Sequence, residues 1–90
     1  MNEYELVVTP PARRALAKTL PESVAAAAIE FLTNTLVHNP HRVGKPLQFE
    51  LAGVWAARRG TYRVLYRINE NAREVVVLRI EHRRDAYRPM

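Results

Sequence analysis

Residues 58–82 read RRGTYRVLYRINENAREVVVLRIEH. Two apolar runs flank the polar tetrapeptide Asn69-Glu70-Asn71-Ala72, which has the composition of a hairpin turn. In the first run Tyr62, Val64, Tyr66 and Ile68 alternate with Arg63, Leu65, Arg67 and Asn69. That period of two is the signature of a strand with one buried face. In the second run Val75-Val76-Val77-Leu78 is apolar on both faces, which places this strand centrally in a sheet. The pattern predicts strands at about 54–59, 61–69 and 73–82, joined as an antiparallel meander.

Upstream, Tyr-Glu-Leu-Val-Val-Thr (4–9) is short, β-branched and aromatic, and predicts a first strand. Thr9-Pro10-Pro11 then predicts a helix start, with a hydroxyl N-cap followed by proline where no N–H is needed. The first helix runs to about Leu20 with Ala12, Leu16 and Leu20 on one face, and Pro21 ends it. A second helix over about 22–38 carries Val24, Ala28, Phe31 or Leu32, and Leu36 at helical spacing. Asn39-Pro40 closes it, residues 39–46 read as a loop, 47–51 as a short extended or irregular piece and Ala52-Gly53 as a turn. The expected fold is α+β: an N-terminal strand, an antiparallel two-helix hairpin, then a three-stranded meander, with the helices on one face of a twisted sheet.

Ninety residues predict one domain over 1–90. With no cysteine, disulfides and thiolate metal sites are excluded. No apolar run approaches the ~18 residues of a membrane helix, and Met1-Asn2-Glu3-Tyr4-Glu5 lacks the basic start of a signal peptide. The expectation is a cytoplasmic protein with no membrane partner.

Charge is segregated. In residues 1–53, Arg13, Arg14, Lys18, Arg42 and Lys45 are matched by Glu3, Glu5, Glu22, Glu30 and Glu50. The whole net charge of +5 therefore comes from residues 54–90, where nine arginines oppose Glu70, Glu74, Glu81 and Asp85. Arginine's planar fork suits bidentate contact with phosphate or carboxylate, and a field of one sign points to an anionic polymer or an acidic protein. The competing reading is a genomic bias toward arginine codons.

If Tyr62, Val64 and Tyr66 pack on the helices, Arg63 and Arg67 point from the opposite face, with Arg79 on the adjacent strand beside them. Either an anion sits among these guanidiniums or they pair internally with Glu74, Glu81 or Glu50. The segment His82-Arg83-Arg84-Asp85-Ala86-Tyr87 brings an imidazole, two guanidiniums and a phenol within six residues. Those groups meet the needs of metal-free RNA cleavage: a base for the 2′-hydroxyl, a charge clamp and an acid for the leaving oxygen. The bland alternative makes His82 a surface residue and Tyr87 a packing lid. His38 and His41 form an HxxH pair, but no further ligand cluster accompanies them, so no metal or cofactor is expected. Trp55 reads as core in preference to a base-stacking platform.

Three segments, NPHRVGKPL (39–47), RRGTYRVLYRI (58–68) and IEHRRDAYR (80–88), resemble the RelE/ParE superfamily of toxin–antitoxin toxins, and its RelE branch in particular. The likeness covers nearly the whole chain. It implies a ribosome-dependent endoribonuclease, an mRNA interferase that cuts in the A site through 2′-hydroxyl attack to a 2′,3′-cyclic phosphate. It implies Arg63 as phosphate clamp, Arg83 on transition-state charge, and His82 and Tyr87 in proton transfer or base stacking. Arg58, with Arg59 as an adjacent substitute, matches the arginine before the family's glycine. Arg67, Arg79, Arg84 and Lys45 complete the expected RNA-binding field. The best-known members carry lysines on the strand that here reads Val54-Trp55-Ala56-Ala57, where nothing titratable remains. The implied partners are the 70S ribosome with its mRNA and rRNA, and an acidic, DNA-binding antitoxin in a heterodimer or higher assembly. A ParE-like inhibitor of DNA gyrase, or a non-catalytic binder on the same scaffold, are the alternatives.

Overall fold

The computed structural model describes residues 3–82; Arg83, Arg84 and Tyr87 lie outside them. It has five strands: β1 (Glu5–Val8), β2 (Lys45–Pro46), β3 (Trp55–Arg59), β4 (Tyr62–Asn69) and β5 (Glu74–His82). They form one sheet in the order β1-β5-β4-β3-β2. The meander β3-β4-β5 is antiparallel as the alternation predicts, and β1 joins β5 in parallel. β5 is thus flanked on both sides, which accounts for its doubly apolar run. Two elements were not expected from residues 39–46: a single helical turn, α3 (Pro40–Val43), and β2, which lines up with Trp55 and Ala56 of β3.

Between β1 and α3 runs the helical hairpin. Helix α1 (Pro10–Arg14) widens into a π-helical segment at Ala15–Thr19, and α2 (Glu22–Phe31) does the same at Leu32–Leu36. The N–H of Leu20 donates to the Ala15 carbonyl five residues back, at 2.9 Å, and Leu20 turns into the core. Small residues (Ala12, Ala25 and Ala28) face the sheet and let the helices sit close against Tyr62, Val64, Tyr66, Val75, Val77 and Ile80. Among the described residues, the opposite face of the sheet carries no helix.

Tyr66 is fully buried, and its hydroxyl donates to the Pro40 carbonyl at 2.6 Å. Gly44 passes so close that a Cβ there would collide with this hydroxyl. Trp55 stacks on Tyr66 at 6.4 Å and 25° and packs, partly buried, against the core. At the β4–β5 turn, Glu70 accepts from the Tyr4 hydroxyl at 2.8 Å and from His41 Nε2 at 2.6 Å. These contacts tie the turn to β1 and α3.

Thr9 departs from expectation. It occupies the N-cap position of α1 without making the capping bond. Its hydroxyl lies 2.8 Å from the Val77 carbonyl and 2.9 Å from the Leu78 carbonyl instead. The helix start is left to Pro10 and Pro11, which need no N–H partner.

Candidate functional site

The Thr9 contact matters because β5 is irregular there. Leu65 pairs with Arg79 but Tyr66 pairs with Val77, so Leu78 is an extra residue. Such a bulge reverses the side-chain alternation of everything after it. Before it, Val75 and Val77 face the helices; after it, Ile80 does. Arg79 and Glu81 consequently move to the helix-free face, and His82 moves to the helix side opposite Tyr62.

Cross-strand partners share a face. On the helix-free face the register therefore builds two adjoining rows. One holds Lys45, Ala56, Leu65 and Arg79; the next holds Arg58, Arg63 and Glu81. Arg63 donates from Nε to Glu81 Oε1 at 2.8 Å, and Arg79 Nε lies 3.8 Å from Glu81 Oε2. Internal pairing thus takes part of the charge, as one of the two sequence readings held. It takes it sparingly, since a single carboxylate serves two guanidiniums and Arg58 stands beside them with no carboxylate partner among the described residues. Arg63 uses one N–H on Glu81 and keeps its forked Nη end, which is the bidentate part.

Arg67 shares this face but lies further along, beside Val76, with its guanidinium against Gly53. Lys45 brings an amine next to Ala56, within the stretch Val54–Ala57 that has no titratable residue of its own. Arg59, expected as an adjacent substitute for Arg58, stands on the other face of β3. It pairs with Tyr62, so it lies on the helix side, where its guanidinium sits 4.6 Å over the Phe31 ring. The pleat turns successive residues of a strand to opposite faces.

His82 ends β5 half-buried on the Tyr62 side and is not brought onto the face of Arg63. Burial raises the Tyr62 hydroxyl above its ordinary pKa against a lowering by Arg59, and burial pushes Tyr66 to about 12. Neither tyrosine gives up a proton near neutral pH. His38 and His41 meet different carboxylates: His38 approaches Glu3 at 4.0 Å while His41 holds Glu70. No group of residues suited to a metal ion occurs among the described residues.

Comparison with known proteins agrees with this architecture. The sequence profile described as the ParE toxin of type II toxin–antitoxin systems, parDE, matches residues 6–87. The chain belongs to the RelE/ParE family of toxins. The toxin is 53% identical to Toxin RelG of Mycobacterium tuberculosis over 94% of its own length and 97% of the relative's. It is 45% identical to Toxin RelE of the same organism, over 97% and 89%. Its fold matches a chain of a RelBE toxin–antitoxin complex from M. tuberculosis with a TM-score of 0.87 and 51% identity, covering 90% of this toxin and 99% of that chain.

Two features of the toxin were missed in the sequence. Arg42 carries no signal in the sequence, where its charge is balanced within residues 1–53, yet it lines a hollow with Arg58 and Arg59 at the end of β3. Thr9 reads as a cap, and nothing local marks the bulge at Leu78, 69 residues on.

Proposed function

We propose that this toxin is a metal-independent, ribosome-dependent endoribonuclease that cuts mRNA in the A site. The observation that carries the reading is the row Arg58–Arg63–Glu81 with Arg79 beside it, three guanidiniums around one carboxylate on a helix-free face. In this reading Arg63 grips the scissile phosphate with its Nη fork while Glu81 fixes its Nε. The 2′-oxygen loses its proton and attacks phosphorus, the bond to the 5′-oxygen breaks, and a 2′,3′-cyclic phosphate remains. Arg63 and Arg83 carry the added negative charge of the pentavalent state.

His82, at the end of β5, carries protons together with Tyr87. Because His82 and Arg63 lie on opposite faces, the RNA passes over the end of the sheet, with the clamp on one side and the imidazole on the other. Lys45, Arg67, Arg79 and Arg84 supply the wider field for mRNA and rRNA. A cytoplasmic location follows from that target, and no described helix is long and apolar enough to cross a membrane.

The partner that silences the toxin is an acidic antitoxin covering the basic face, as the RelBE relatives are found in toxin–antitoxin complexes. The family description names ParE, which favours a gyrase inhibitor as second reading. Primer extension on mRNA from a translation extract, run beside a gyrase supercoiling assay, separates the two. New mRNA ends with supercoiling intact support the nuclease; intact mRNA with supercoiling lost supports the gyrase inhibitor.

A further inference from the structure

β3 outruns its neighbour. β2 covers only Trp55 and Ala56, so on that side Ala57 to Arg59 continue with no partner strand among the described residues. Facing this bare end is the turn that carries α3. Asn39, Arg42 and Val43 from that turn, with Arg58 and Arg59 from the strand, border a shallow, open hollow of about 430 Å³.

Among the described residues, three guanidiniums and one carboxamide line this hollow and no carboxylate does. None of the ion pairs among the described residues involves Arg42, Arg58 or Arg59. The three cations also come from different directions. Arg58 lies on the helix-free side of the strand, Arg59 on the helix side, and Arg42 across from both. Arg59 is held in place over the Phe31 ring at 4.6 Å, so part of the ordering cost of binding is already met by the fold. Like charges gathered in a concave site repel unless an anion joins them. The two charged non-bridging oxygens of a phosphodiester can accept from guanidiniums that reach them from different sides.

We infer that this cleft between α3 and the bare end of β3 is a second phosphate site, which holds an RNA backbone phosphate away from the bond that is cut. The inference rests on the RNA reading above. Arg58 links the two sites, since it is Arg63's cross-strand partner and also lines the cleft. A strand clamped at Arg63 continues over the β3 edge and is held there by Arg42 and Arg59.

The test is binding of a labelled, non-cleavable 2′-O-methyl RNA oligonucleotide, measured by fluorescence anisotropy across a salt series. Wild type, R42A and R42Q are compared, with folding checked by circular dichroism; Arg42 is exposed and its replacement leaves the core untouched. Loss of one phosphate contact lowers the log–log salt slope by about 0.7 for single-stranded RNA and weakens binding several-fold. An unchanged slope in both variants overturns the cleft site, as does a wild type that does not bind the RNA. So does a loss confined to an acidic peptide probe, which would make the cleft a protein-docking site. An Arg42-dependent slope in a toxin that leaves ribosomal mRNA uncut keeps the cleft and removes the nuclease reading; cut mRNA with an unchanged slope does the reverse.

Discussion

Glu81 holds Arg63 by its Nε at 2.8 Å and leaves the forked end of the guanidinium open. The contact therefore aims the clamp without filling it. Glu81→Gln keeps the shape and removes the charge, so it separates aiming from attraction. The pair is partly exposed, and the expected stability loss is small, within ~1 kcal/mol. RNA binding is expected to tighten and its salt slope to steepen, because two guanidiniums lose their internal counter-ion. Cleavage is expected to fall despite tighter binding. Denaturant midpoints, RNA binding and cleavage rate on the same variant check all three.

The Thr9 hydroxyl spans the bulge after which Glu81 and Arg79 share the face of Arg63. It bonds carbonyls at Val77 and Leu78 that would otherwise lack this donor. Thr9→Val is expected to cost about 1 kcal/mol, read as a lower urea midpoint. Cleavage should fall by more than that stability loss explains, since the alternation after Leu78 is no longer pinned. Thr9→Ser retains the hydroxyl and should restore both.

How far the sequence could be read follows from this bulge. The meander, the central β5 and the helix-facing set Tyr62, Val64 and Tyr66 were visible, because local alternation determines them. The helix faces were visible through Ala28, Leu32 and Leu36. The side on which His82 and Arg79 stand was hidden, because it depends on one extra residue fixed by a distant hydroxyl. α3 and β2 were hidden too, since Pro40 and Gly44 read as loop formers while their positions are set by the buried Tyr66 hydroxyl. Arg42 carries no local signal; only folding brings it to Arg58 and Arg59.

Tyr66 gives a pH signature. Burial pushes its hydroxyl to about 12, above the ordinary value of 10.0. The folded state thus holds this proton where the unfolded chain releases it. The resulting stability is full below about pH 10 and is lost as pH rises from 10 to 12. Tyr66→Phe should flatten that part of the pH–stability curve. At neutral pH it should cost about 1–3 kcal/mol, because the Pro40 carbonyl loses its buried donor. Chemical denaturation at a series of pH values measures both effects.

Phe49 is 90% exposed yet held at φ 60°, a left-handed conformation disfavoured for a side chain of its size. Phe49→Gly removes strain of about 1–2 kcal/mol against about 0.5–1 kcal/mol of added unfolded-state entropy. A net gain of a few tenths to 1 kcal/mol is expected, seen as a Tm increase of a few degrees. An unchanged or lower Tm would mean that Phe49 makes contacts worth as much as its strain.

The central claim is that Arg63 clamps the scissile phosphate of ribosome-bound mRNA. The most direct measurement is single-turnover cleavage of mRNA on programmed ribosomes by wild type and Arg63→Ala, with fragment ends examined for the 2′,3′-cyclic phosphate. The account predicts cleavage by wild type with that end group, no cleavage without ribosomes, and a rate lower by roughly 100-fold or more in a folded Arg63→Ala variant. Equal rates for the two proteins, or intact mRNA with both, would contradict it.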